Sequence, residues 1–138
     1  MRRALILVGA LLLASSLAQG QTVVTTEEVG GVVKKIIFDW TSAADGSATA
    51  TTSNFYNGKI EAFVTDPDGT DAPTDDYDVT IADADGTDVL SAAGQNRDTA
   101  NTEIVLSASL GIVANDKLSL TIAAAGNAKK GKIYLYVR

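Results

Sequence analysis

The sequence predicts an all-β domain, an antiparallel β-sandwich or jelly roll of about eight strands. Three observations carry that prediction. Short runs alternate apolar and polar residues with period two, as in residues 60–65 and 77–82. Polar turns rich in Asp, Asn and Gly separate these runs at close to the spacing of a sandwich. No segment sustains the 3.6-residue period of a helix. Successive side chains of a strand point to opposite faces, so each run has one apolar and one wetter face. That suits a sheet with one side on a core.

Residues 1–20 follow a different logic. Arg2 and Arg3 precede a ten-residue apolar run, 4–13, and small residues follow at signal-peptidase spacing. The run is shorter than the roughly 20 residues that span a bilayer. A secretory leader is expected here, with no membrane span in the mature chain. Residues 21–31 are polar, Thr-rich and closed by two glycines, which predicts an extended N-terminal arm or a short edge strand. The domain itself is expected over 32–138.

Within it, residues 32–41 form the first strong strand, with Ile36, Phe38 and Trp40 on one face and Lys35, Ile37 and Asp39 on the other. Residues 48–54 are β-branched but weakly apolar, as an edge strand would be. Asn57-Gly58 reads as a hairpin turn, because both residues tolerate positive φ. It leads into 60–65, where Ile60, Ala62 and Val64 alternate with Glu61, Phe63 and Thr65. In 77–82, Tyr77, Val79 and Ile81 share a face. A short strand is expected at Val89 and Leu90, another at 102–106, and a helical turn within 107–115. Residues 117–123 direct Leu118, Leu120 and Ile122 inward. Residues 132–138 close the chain with Ile133, Leu135 and Val137 opposite Tyr134 and Tyr136. The expected core is Ile36, Phe38, Trp40, Ile60, Val64, Val79, Ile81, Leu118, Leu120, Ile122, Ile133 and Leu135. Strand order does not follow from these patterns.

Composition narrows the chemistry. The 138 residues include no Cys and no His. Disulfides and thiol chemistry are therefore ruled out, and the side chain that most readily moves protons at neutral pH is missing. Asp and Glu outnumber Lys and Arg by 17 to 11, a balance that repels nucleic-acid phosphates and anionic lipid. There is no nucleophile elbow and no phosphate-binding glycine loop. The expectation is a protein without enzymatic activity.

The sharpest local motif is Asp-x-Asp-Gly-Thr-Asp, present twice, at 66–71 and 83–88. Asp66, Asp68 and Asp71, with Asp83, Asp85 and Asp88, are the candidate ligands for Ca²⁺. The EF-hand spacing fails, because the twelfth positions are Tyr77 and Gly94. Asp and Gly also form turns between strands without any metal, and that reading is preferred, with no cofactor required. Lys129, Lys130 and Lys132, and separately Lys34 and Lys35, form small basic clusters that read as solvated turn and strand ends. Phe63, Tyr134 and Tyr136 fall on faces opposite the expected core. They are candidates for a protein interface or for a second layer of packing.

Several stretches resemble a family of small structural proteins of tailed bacteriophages: VVKKIIFDWTS (32–42), the Asn57-Gly58 pair, FVTDP (63–67), APTDDYDVTIADADGTDVL (72–90), NRDTANTE (96–103) and AGNAKKGKIYLYVR (125–138). The resemblance implies a virion component, a capsid decoration or head-associated protein. Its partners would be a capsid or other virion protein and further copies of itself. No catalytic residues come with the resemblance. Residues 1–20 depart from the family pattern, which lacks a secretory leader. They open the alternative of an exported bacterial surface or adhesion module, stabilised by calcium.

Overall fold

The computed structural model describes residues 19–138. The expected leader lies outside them except for Gln19 and Gly20. Nine strands are present among the described residues: β1 (Thr22–Glu28), β2 (Lys34–Thr41), β3 (Ala48–Thr51), β4 (Tyr56–Pro67), β5 (Asp78–Ala82), β6 (Glu103–Leu106), β7 (Ile112–Asp116), β8 (Ser119–Ala123) and β9 (Lys130–Val137). All pair antiparallel. The larger sheet runs β1-β2-β9-β4-β6, with β7 also on β4, and the smaller runs β3-β8-β5. The two sheets enclose one core, so the fold is the expected all-β sandwich.

Period two explains the packing strand by strand. On the inner side Ile36 and Phe38 of β2 lie opposite Leu135 and Ile133 of β9, and Trp40 lies opposite Gly131. Val79 and Ile81 of β5, with Leu118, Leu120 and Ile122 in and just before β8, come from the opposite sheet. Each such side chain contributes roughly 1.5–3 kcal/mol when fully buried. Of the expected core, only Val64 is half-exposed.

The reason is a β-bulge. Ile60 lies opposite Val137 and Ala62 opposite Tyr136, so β4 takes two steps where β9 takes one. The extra residue, Glu61, reverses the alternation beyond it. Phe63 (1% exposed) and Thr65 turn inward, and Ala62 and Val64 turn outward. Phe63 is therefore a core residue, and its expected place on the outer face is corrected.

Other expectations are also corrected. Asn57-Gly58 is no hairpin turn; both residues lie inside β4. Gly58 has φ +127°, and a Cβ there would sit 2.1 Å from the Arg138 carbonyl oxygen. Glycine serves close backbone approach here, while Lys59 N–H donates to that same carbonyl at 2.7 Å. Val89 and Leu90 are buried in a turn and form no strand. In 107–115 the expected helical turn is present, as the 3-10 turn Ser107–Ser109, and what the pattern did not show is β7 after it, which carries a second bulge beside Asn57.

Residues 21–31 take the second of their two expected forms. β1 pairs with β2 over its full length. The Glu27 carboxylate then fastens it to the β3–β4 connection, accepting from Ser53 N–H (2.6 Å), Asn54 N–H (3.0 Å), Asn54 Nδ2 (2.8 Å) and Tyr56 Oη (2.7 Å). Gln21 joins β1 to the edge of the smaller sheet through both polar atoms of its amide, on Thr49. The strand is an integrated edge rather than a loose arm.

Candidate functional site

Register brings an apolar band to the outer face of the larger sheet. Ile37 lies opposite Tyr134, Tyr134 opposite Val64, and Val64 opposite Ile104, so one row crosses β2, β9, β4 and β6. The adjacent row is Lys35, Tyr136, Ala62 and Leu106. Ile104 and Leu106 are 64% and 67% exposed. Ile37, Ala62, Val64, Tyr134 and Tyr136 are half-buried.

Charge frames this band. Asp39, Lys132 and Asp66 form the next row, with Lys132 Nζ 3.7 Å from Asp39 Oδ2. Thr102 Oγ1 donates to Asp66 Oδ1 at 2.8 Å. On the other side Lys35 Nζ lies 5.9 Å from the centre of the Tyr134 ring and 3.5 Å from Glu28 Oε1. An apolar centre with aromatic residues and a charged rim is the anatomy of a protein-binding surface. It exceeds the scattered single apolar residues normal on any protein.

Of the three interface candidates, Tyr134 and Tyr136 stand on this face and Phe63 does not. Ile104 and Leu106 were not expected in it. The run Ile104-Val105-Leu106 is apolar at every position, so alternation cannot say which residues face outward. Ile37 was placed opposite the core by its period alone.

The acidic motifs are occupied by their own chain. Asp68 Oδ1 accepts from Thr70 and Asp71 N–H at 2.9 and 2.8 Å, which holds its carboxyl below the usual range. Asp71 Oδ2 pairs with Lys130 Nζ at 2.6 Å, and that bond raises the lysine pKa. In the second copy Asp83 Oδ1 accepts from Thr87 N–H, and Asp88 from Leu90 and Ala92 N–H, while Asp85 is exposed. The repeated sequence is thus not a repeated geometry. Among the described residues no group of three or more carboxylates converges as a metal site would require. A surface cleft of about 380 Å³ adjoins the first motif, and it carries Lys130 and Lys132 beside Asp39, Asp66 and Asp68.

Inside the sandwich, Trp40 Nε1, Thr65 Oγ1 and Tyr77 Oη are buried without a hydrogen-bond partner among the described residues. Burial pushes the Tyr77 hydroxyl up to about 12, so it stays protonated at neutral pH. Among the described residues no helix is long and apolar enough to cross a membrane.

No protein-family model matches the chain, and no curated protein matches it. Among solved structures, the chain is weakly similar to one described as "Structure of infectious bursal disease virus Gx strain", at 13% identity and a TM-score of 0.31, over 95% of this chain. The likeness spans 36% of that chain.

Proposed function

We propose that the chain is a non-enzymatic structural protein of a phage virion, one that decorates or reinforces the capsid as part of a repeating assembly. The observation that carries this is the outer face of the larger sheet, where apolar side chains stand in register across four strands. A surface of that kind binds other proteins through area and shape rather than through a pocket. The family resemblance supplies the virion, and the face supplies a means of joining one. Many weak copies on a lattice hold well, because each tethered contact raises the effective concentration of the next.

The test is binding of the purified chain to assembled capsids of its own phage, read by co-sedimentation. Saturable binding at a fixed ratio to the capsid protein is expected. Absence of binding at any ratio overturns the virion reading and favours the exported surface module.

A further inference from the structure

We propose that the outer face of the larger sheet pairs with the same face of a second copy, about a two-fold axis parallel to the strands between β9 and β4. The proposal rests on that face being an interaction surface and goes further by naming its occupant.

The support is self-complementarity in the register. A two-fold axis along the strands at this place lays β9 of one copy over β4 of the other, and β2 over β6. Each row then meets itself reversed. Tyr134 faces Val64 of the second copy, and Tyr136 faces Ala62, so each large ring meets a small side chain. Ile37 faces Ile104. In the third row Lys132 faces Asp66, giving opposite charges, and every contact occurs twice. Lys35 falls over Leu106, where its stem covers apolar surface and its head stays at the rim beside Glu28. A two-fold axis across the strands does worse. It would set Tyr134 on Tyr136 and Val64 on Ala62, crowding one side and leaving a gap on the other, both of which cost packing. Two sheets packed with their strands nearly aligned are also a standard arrangement.

The size of the face sets the expected strength. Four strands at roughly 4.8 Å and three rows at roughly 6.8 Å make a patch of about 20 by 20 Å. Both copies together bury on the order of 800 Å², below the standard interface. A dissociation constant on the order of 10–100 µM is expected, weak in solution and reinforced within a lattice.

The experiment uses the purified full chain without capsids, in sedimentation velocity from about 5 to 500 µM, a range that brackets that constant. A monomer–dimer equilibrium is expected. Tyr134→Ser and Lys132→Glu should each weaken it at least about tenfold, the loss of roughly 1.4 kcal/mol. Asp66→Lys added to Lys132→Glu should restore it. The chain has no cysteine, so single thiols report geometry directly. A mixture of Ile37→Cys and Ile104→Cys chains, which face each other across the axis while each lies about three strand spacings from its own mate, should be joined by a short bis-maleimide much faster than either variant alone. Unchanged melting temperatures show that the variants fold. If Tyr134→Ser unfolds, the charge swap and the cross-link still decide. A monomer throughout the range, or equal cross-linking of matched and mixed variants, overturns the pairing. Dimers that ignore capsids overturn only the virion reading, and monomers that bind capsids overturn only the pairing.

Discussion

Replacing Glu27 by Ala tests whether β1 belongs to the folded domain. The carboxylate accepts four hydrogen bonds from Ser53, Asn54 and Tyr56. Ser53 and Asn54 are exposed, so water can take over their N–H groups at modest cost. Tyr56 is fully buried, and its hydroxyl would lose its acceptor. An unsatisfied buried hydroxyl costs about 1–3 kcal/mol, and each replaced bond adds about 0.5–1.5. Glu27→Ala should therefore cost about 3 kcal/mol. For a domain of this size that lowers Tm by roughly 10–15 °C. Tyr56→Phe alone should cost about 1 kcal/mol, and the double variant should be no less stable than Glu27→Ala, since removing the hydroxyl also removes the buried group that Glu27→Ala leaves unsatisfied. Thermal and urea unfolding followed by circular dichroism measure all three.

The pH dependence is a second arm of the same test. Burial raises the Glu27 pKa, but the hydrogen bonds to Ser53, Tyr56 and Asn54 outweigh it and leave the pKa below 4.5. A carboxylate with a depressed folded pKa contributes stability that is fully present above its unfolded pKa. That contribution is lost as pH falls through the folded value. The gap between wild type and Glu27→Ala should thus be constant above about pH 5.5 and shrink below about pH 4.5. A loss under about 0.5 kcal/mol at neutral pH, or a gap that ignores acid, would refute the claim that Glu27 holds the edge strand in place.

Three further outcomes are expected. Phe63→Ala should cost about 3–5 kcal/mol and Val64→Ala under about 1.5; urea unfolding giving the reverse order would mean that Glu61 does not bulge. Leu120→Asp should cost several kcal/mol by burying an unpaired charge, whereas Thr121→Asp, on the exposed side of β8, should stay within about 1 kcal/mol. Similar melting losses from the two would contradict the two-layer packing. A chelator should leave Tm unchanged, because the carboxylates of Asp68, Asp83 and Asp88 already bind backbone N–H groups. A specific site would instead stabilise by about 2.7 kcal/mol at a hundredfold excess of Ca²⁺ over its dissociation constant, visible as a rise of several degrees.

Local alternation by itself determined the all-β class and most of the core. Period two is a property of the single strand: it assigns faces wherever one side is apolar, as in β2, β8 and β9, and it set Tyr134 and Tyr136 opposite Leu135. Tertiary structure decided what alternation cannot carry. The bulge at Glu61 depends on how β4 meets β9, a partner far along the chain, and one added residue exchanged the roles of Phe63 and Val64. Gly58 looks the same in sequence whether it makes a turn or admits another backbone, and only the Arg138 carbonyl lying against it separates the two. The outer face is likewise a product of strand order. Ile37, Tyr134, Val64 and Ile104 become a surface only when β2, β9, β4 and β6 stand side by side. Strand order is set by contacts between distant segments, and no local pattern encodes it.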